Sequence, residues 1–358
     1  MTPPTDRIAS LDALRGLGVL GILAVNAPVF SQPFALLLDP ALLGPLDPDS
    51  AKVWAGVHIA FERKFVTLFS MLFGASLLLV GGNGEDPVQE RVLFRRLGWL
   101  AVFGVIHGAL VFGVGALLEC YEYWGAGKPS EIPFATADAA ALEIRAFSGS
   151  FAESLRENVR HWLAMTQAMP SFIPSTLGLM LLGMGLFKAD ILTGRRSAAF
   201  YLGLLSAGTV CLALLAGATV RDVSAGFTAP EDTAWRESIN ALLCPVMTLG
   251  YVGAICLWLK SPLRCLTAPL AATGRMAFTN YLTQSLIMTA IFYGGRGPGL
   301  FWQVTLAQDV PLVIGIWLVQ LVWSPTWLSA FQYGPFEWIW RSLSFARPAT
   351  LWRRHGLR

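Results

Sequence analysis

The sequence predicts an all-α, polytopic integral membrane protein, a bundle of about eight transmembrane helices with both termini in the cytoplasm. Three observations carry this. Of 358 residues, 54% are hydrophobic and 14% charged, with a mean hydropathy of +0.56; soluble domains carry about 25% charged residues. The apolar residues gather into long runs of the ~20 residues that a membrane crossing needs. Lys and Arg fall unevenly between the loops joining those runs. No polar linker divides the chain, although a single soluble core rarely grows past ~250–300 residues. Disorder, a disulfide scaffold and most soluble enzymes are excluded.

The expected spans are 14–31, 57–80, 97–118, 171–189, 198–220, 239–259, 268–292 and 309–331. They are continuous apolar runs, unlike the ~10-residue alternation of an outer-membrane barrel. Helices satisfy their own backbone polar groups in lipid, so the runs are read as helices. With the amino terminus inside, well over half of the 26 Lys and Arg lie on the cytoplasmic side, in line with the positive-inside rule. The run following Met1–Ser10 lacks a small-residue cleavage site and reads as a retained first span.

Three segments follow: a membrane core over 1–118, an extracytoplasmic loop over 119–165, and a membrane domain over 166–358 with five spans and an interfacial helix. Within the loop, FAESLRENVRHWL places Phe151, Leu155, Val159 and Leu163 four residues apart, the pattern of a helix lying on a membrane surface. In GPFEWIWRSLSF, Pro335 opens a helix and Glu337 precedes Arg341 by one turn, the favourable ion-pair order.

The formal net charge of +3 and the absence of a dense basic run exclude nucleic-acid binding. None of the five cysteines forms a C-x-x-C pair, and the four histidines are scattered, so neither a disulfide nor a metal site is expected. The G-x-G-x-x-G over Gly16–Gly21 lies within an apolar run rather than after a strand, which makes it helix packing instead of a dinucleotide site.

Ionisable groups in a membrane cost ~2.5–3.5 kcal/mol each on insertion scales and call for a reason. On span 1, Asp12, Arg15 and Asn26 point roughly one way, with Asn26 ~16 Å along the axis from Arg15. They form either a polar line along a cavity or an interfacial ion pair plus a packing amide. On span 2, His58 and Glu62 share a face, and Glu62-Arg63-Lys64 cannot all snorkel outward around one helix. His107 lies ~16 Å inward of Arg96, near the midplane, where an imidazole serves as a general base or as a packing group. On span 7, Thr273, Asn280 and Gln284 share a face close to Arg275; helix-to-helix hydrogen bonding explains them equally well.

These residues also carry a likeness. RIASLDALRGLGVLGILAVN, KFVTLFSMLFG, the RRL…FGVIHG of span 3 and GLMLLGMGLFKADILTG resemble bacterial YeiB-like membrane proteins. The stretch from GRMAFTNYLTQSLI to GPFEWIWRSL resembles domain of unknown function 418, which closes those proteins. The family is grouped with transmembrane acyltransferases similar to the lysosomal heparan glucosaminide acetyltransferase. The resemblance implies a bacterial inner-membrane protein that moves an acyl group from cytosolic acyl-CoA or acetyl-CoA to a glycan or lipid-linked acceptor. It implies that Asp12, Arg15 and Asn26 line the active-site tunnel. After span 3 the sequence departs from the family: a GDIL-type motif and two spans give way to VFGVGALLECYEYWGAGKPSE. Glu119 is the nearest carboxylate to replace the missing Asp.

The expectation is therefore an acyltransferase with His107, Asn26 and Asp12 at the chemistry. Arg15, Lys64, Arg95, Arg96, Arg275, Asn280 and Gln284 would hold substrate or the CoA phosphates. A transporter of a small or lipid-linked solute and a non-catalytic scaffold are the alternatives. The lipid bilayer is the expected partner, and a homo-oligomer is compatible with the sequence.

Overall fold

The computed structural model describes residues 8–80, 124, 136–344 and 349–352. The helices there are α1 Ala9–Ser31, α2 Ala35–Leu38, α3 Pro48–Ala60, α4 Lys64–Val80, α5 Ala137–Phe147, α6 Phe151–Lys188, α7 Ala198–Ser224, α8 Pro230–Lys260, α9 Ala268–Arg275, α10 Ala277–Phe292, α11 Leu306–Ala330 and α12 Pro335–Ser344. A 3-10 turn over Pro262–Thr267 joins α8 to α9. Among the described residues the sole strand-like pairing is an isolated bridge between Phe331 and Trp352.

Four of these helices, α1, α7, α8 and α11, are long and apolar enough to cross a membrane, and Phe172–Lys188 of α6 is a shorter apolar stretch. The chain is thus an all-helical membrane protein. The expected span 97–118 lies outside the described residues.

Three expected elements differ from what folds. The run 57–80 is two helices, α3 and α4, broken at Phe61–Arg63, with Arg63 in the left-handed region at φ 63°. The cause is local: three successive charges do not fit one lipid-facing helix, and the break buries Lys64 while leaving Glu62 on a cavity wall. The run 268–292 is also two helices, broken at Met276. The amphipathic stretch at 151–163 is no separate surface helix; it continues into the apolar run as the single helix α6. A capping box opens α6: Glu153 accepts from the Ser150 backbone N–H while the Ser150 hydroxyl accepts from Glu153 N. Those bonds from Ser150 hold the Glu153 carboxyl below its ordinary range.

α1 is the axis of the bundle and packs against α4, α9, α10 and α11. Its glycines make this close approach feasible. A Cβ on Gly16 would lie 1.9 Å from the Leu270 carbonyl oxygen, and one on Gly274 would lie 1.8 Å from that of Asp12. The G-x-G-x-x-G is a packing surface: Gly18 and Gly21 lie against the rings of Phe69 and Phe65. One apolar core contains Leu11 and Leu14 of α1, Leu68 of α4, Val252 of α8 and Leu270 of α9, so the first and last sequence segments share it.

Two contacts secure the periphery. Glu143 of α5 accepts from the Phe34 backbone N–H at 2.7 Å and lies 3.1 Å from His161 Nε2, tying the segment after α1 to α5 and α6. Glu337 of α12 accepts from the backbone N–H groups of Phe278 and Thr279 at 2.8 and 3.0 Å and from the Thr279 hydroxyl. A helix is therefore present at the expected residues, and its acid caps the free amino end of α10.

Candidate functional site

The break between α3 and α4 builds the site. Asp47 caps α3 by accepting from the N–H groups of Asp49 and Ser50 at 3.1 and 3.0 Å. One turn before the break stands His58, whose Nδ1 is hydrogen-bonded to the Glu62 carboxylate. Past the break, Lys64 is fully buried; its ammonium donates to the His58 carbonyl oxygen at 2.9 Å and to Asn240 Oδ1 at 2.7 Å.

Arg236, near the start of α8, completes the cluster at 4% exposure. Its Nε donates to Asp222 Oδ2 of α7 at 2.7 Å, and its Nη1 donates to Glu237 Oε1 at 2.6 Å and His58 Nε2 at 3.0 Å. The guanidinium also lies 4.9 Å from the ring centroid of Trp54, which stacks on His58 at 5.0 Å. Arginine only donates, so toward Arg236 the imidazole presents a ring nitrogen as acceptor. Glu62, Asp222 and Glu237 oppose Arg63, Lys64 and Arg236, and the Thr233 hydroxyl donates to Asp222 Oδ1 at 3.0 Å. This balance is what a buried charge cluster requires.

His58, Glu62 and Glu237 offer ligand atoms within 4.8 Å of one another, the spacing of a cation site. The Arg236 guanidinium bonds to two of the three. It already supplies the positive charge that a metal would bring to those donors.

Beside the cluster is a cavity of about 920 Å³, enclosed by the carboxyl end of α1, the loop that follows, α3 and α11. Trp54, Phe61 and Trp317 form much of its apolar wall, and His58, Glu62 and Asp309 are among its polar lining. Of the dyad, Glu62 is the accessible member, its side chain 37% exposed against 2% for His58. Across the cavity, Asp309 accepts from the Ser31 hydroxyl through Oδ2.

The sequence-derived candidates are dispersed. Asp12 and Arg15 pair at 3.3 Å near the amino end of α1, where Arg15 also donates to Ser76 at 2.7 Å. Asn26 is half-buried on α1, beside the cavity-lining Val25 and Ala27 but not itself in the lining. Lys64 is locked into the charge cluster. Arg275 ends α9. Asn280 donates to Thr273 O and Ser324 Oγ at 3.1 and 3.0 Å, and Gln284 donates to Gln320 Oε1 at 2.8 Å and Val19 O at 3.3 Å. These two form an amide layer joining α1, α9, α10 and α11. His107, Arg95, Arg96 and Glu119 lie outside the described residues.

Sequence reading missed Asp222, Arg236, Glu237 and Asp309 as site residues. A usable signal existed: α8 extends nine residues upstream of the expected span, so the charges of Asp232, Arg236 and Glu237 belong to that helix. Asp309 likewise stands in the first turn of α11, where it reads as a helix-end acid rather than a cavity wall.

The family model described as "Protein of unknown function (DUF418)" matches residues 186–347. The chain is 30% identical to uncharacterised protein YeiB of Escherichia coli (strain K12), covering 95% of this chain and 96% of that protein. It is 28% identical to uncharacterised protein YxaH of Bacillus subtilis (strain 168), covering 96% of each. It is 27% identical to an uncharacterised 39.9 kDa protein from the amylase 3′ region of Bacillus acidopullulyticus, covering 96% and 95%. The YeiB alignment runs over 387 positions, more than this chain has residues, so YeiB carries segments without a counterpart here. No solved structure matches. With that identity over almost its whole length, the chain belongs to the YeiB-like, DUF418-containing family of membrane proteins.

Proposed function

We propose that this chain is an eight-span inner-membrane acyltransferase, with both termini cytoplasmic, which passes an acyl group from cytosolic acyl-CoA to a hydroxyl or amine of an extracytoplasmic acceptor. The observation that carries the reading is the His58–Glu62 pair on the wall of a largely apolar cavity. A concave, mostly apolar pocket with a few converging polar groups is the usual form of a small-molecule site. A histidine and carboxylate in hydrogen bond, one facing the cavity, is a unit able to take and return a proton. The cavity adjoins the carboxyl end of α1 and Arg15 stands near its amino end, ~15 Å or more along the helix axis. That separation suits a donor bound on one side and an acceptor on the other.

In the proposed step the acceptor's O–H or N–H proton passes to the pair through Glu62. The acyl C–S bond breaks as the new C–O or C–N bond forms, and CoA leaves as its thiol. Arg15, with Arg95 and Arg96, would meet the CoA phosphates. Asn26 would orient the acyl carbonyl, and His107 is the competing base. The test is transfer of labelled acetyl from acetyl-CoA by purified protein to glycan and amine acceptors. Glu62→Gln should lower turnover at least about a hundredfold, the range for loss of an acid–base group. Wild-type turnover at background would overturn the proposal, and loss in His107→Ala alone would move the base to His107.

A transporter is the second reading, favoured by the buried Asp222–Arg236–Glu237 charges, since intramembrane ion pairs often mark solute pathways. Substrate flux in proteoliposomes lacking acyl-CoA would select it.

A further inference from the structure

The cavity lining is uneven in charge. Asp47, Glu62 and Asp309 are among its lining residues, and among the described residues no Lys or Arg is. The cations Arg63, Lys64 and Arg236 stand behind the wall, committed to Glu237, Asn240 and Asp222. Asp309 differs from the other two acids. Glu62 has His58, and Asp47 caps α3. Asp309 is 4% exposed, and one oxygen accepts from Ser31. The other, Oδ1, is buried with no hydrogen-bond partner among the described residues. A buried carboxylate oxygen without a donor is costly, and the cost is removed when a ligand supplies one.

The remaining wall selects the body of that ligand. Phe61, Trp302 and Trp317 line the cavity beside Trp54, whose ring already carries Arg236 and His58, and aromatic faces attract organic cations as well as apolar chains. A sugar's many hydroxyls would find few partners here, whereas an ammonium on an apolar body would meet both a carboxylate and aromatic walls.

We infer that this cavity binds a cationic amphiphile, an apolar body bearing a protonated amine whose N–H is received by Asp309. The inference rests on reading the cavity as the acceptor site, and it narrows the ligand class. It also separates two jobs in one cavity: Asp309 anchors charge, and the His58–Glu62 pair handles protons.

The test uses full-length protein in detergent and radiolabelled dodecylamine, with dodecanol as the uncharged competitor of similar shape. Dodecylamine should bind saturably, and dodecanol should compete at least about tenfold less well, the loss of one charge-assisted hydrogen bond. Asp309→Asn should weaken amine binding by a similar factor, and Asp309→Glu should restore part of it. Equal competition by dodecanol would overturn the inference on wild-type protein alone, whatever the variants' folding. So would unchanged amine affinity in a folded Asp309→Asn. Glu62→Gln should leave dodecylamine bound to within about threefold while lowering acetyl transfer at least about a hundredfold. Saturable amine binding without any acetyl transfer would defeat the acyltransferase and leave this inference standing. Acetyl transfer without amine selectivity would do the reverse.

Discussion

Two buried polar regions lie in this bundle, and they are built from different chemistry. Around the α3–α4 break the interior holds full charges: Arg236 bridges Asp222 and Glu237, and Lys64 is held by Asn240. Between α1, α9, α10 and α11 it holds neutral amides, with Asn280, Gln284 and Gln320 bonded to one another and to backbone carbonyls. The amide layer is closed on itself and does not line the cavity. The charged cluster places His58 and Glu62 on the cavity wall. Amides are sufficient to hold helices together. Charges are far more expensive in such an interior, and here the expensive region is the one beside the cavity.

The sharpest way to break this comparison is at Arg236. Arg236→Met removes the guanidinium and leaves Asp222 and Glu237 buried together without it. Loss of one partner from a buried charge network costs about 3–5 kcal/mol, so thermal unfolding in detergent should move down strongly. Adding Asp222→Asn and Glu237→Gln should recover most of the loss, because uncharged groups need no guanidinium. No recovery would mean that Arg236 acts by packing on Trp54 rather than by charge.

The two regions were unequally legible in the sequence. Thr273, Asn280 and Gln284 lie at helical spacing in one apolar run, and that face did become the amide layer. The charged cluster is assembled from three places: 58–64, Asp222 and 236–240. Periodicity within a run cannot show that α7 and α8 bring their ends beside α3. The break at Phe61–Arg63 was signalled by three successive charges, yet a continuous span was expected because the hydropathy on both sides is uniform. Arg15 and Asp12 pair as i and i+3 residues on a helix do, a local relation that spacing does show. Asp309 was hidden because an acid in the first turn of a helix already has a local reason to be there.

A second prediction tests the frame that holds both regions apart. Gly274 meets the Asp12 carbonyl so closely that no side chain fits between α1 and α9. Gly274→Ala must push the helices apart and should cost about 1–3 kcal/mol, the range for overpacking. The displacement should reach the amide layer first, since Gln284 bonds to Val19 O of α1. Tryptophan emission should respond, because Trp317 of α11 donates to Leu20 O of α1 at 2.9 Å. Unchanged unfolding temperature and emission would show that α1 and α9 do not pack this closely.

The smallest effect is expected within the amide layer. Gln284→Leu removes the donor to Gln320 Oε1 and to Val19 O while keeping an apolar side chain of similar size. Interhelical hydrogen bonds of this kind average about 0.6 kcal/mol in a membrane and reach ~1.7, because the separated helices find other partners. Unfolding stability should fall by about 1 kcal/mol, well short of the Arg236→Met loss. Pairing it with Gln320→Leu should cost less than the sum of the two single changes, since the second removes the group that the first left without its donor. Amine binding in the cavity should be unaltered in both. A loss matching that of Arg236→Met would remove the distinction between the two regions, since the amides would then carry as much of the fold as the charges do.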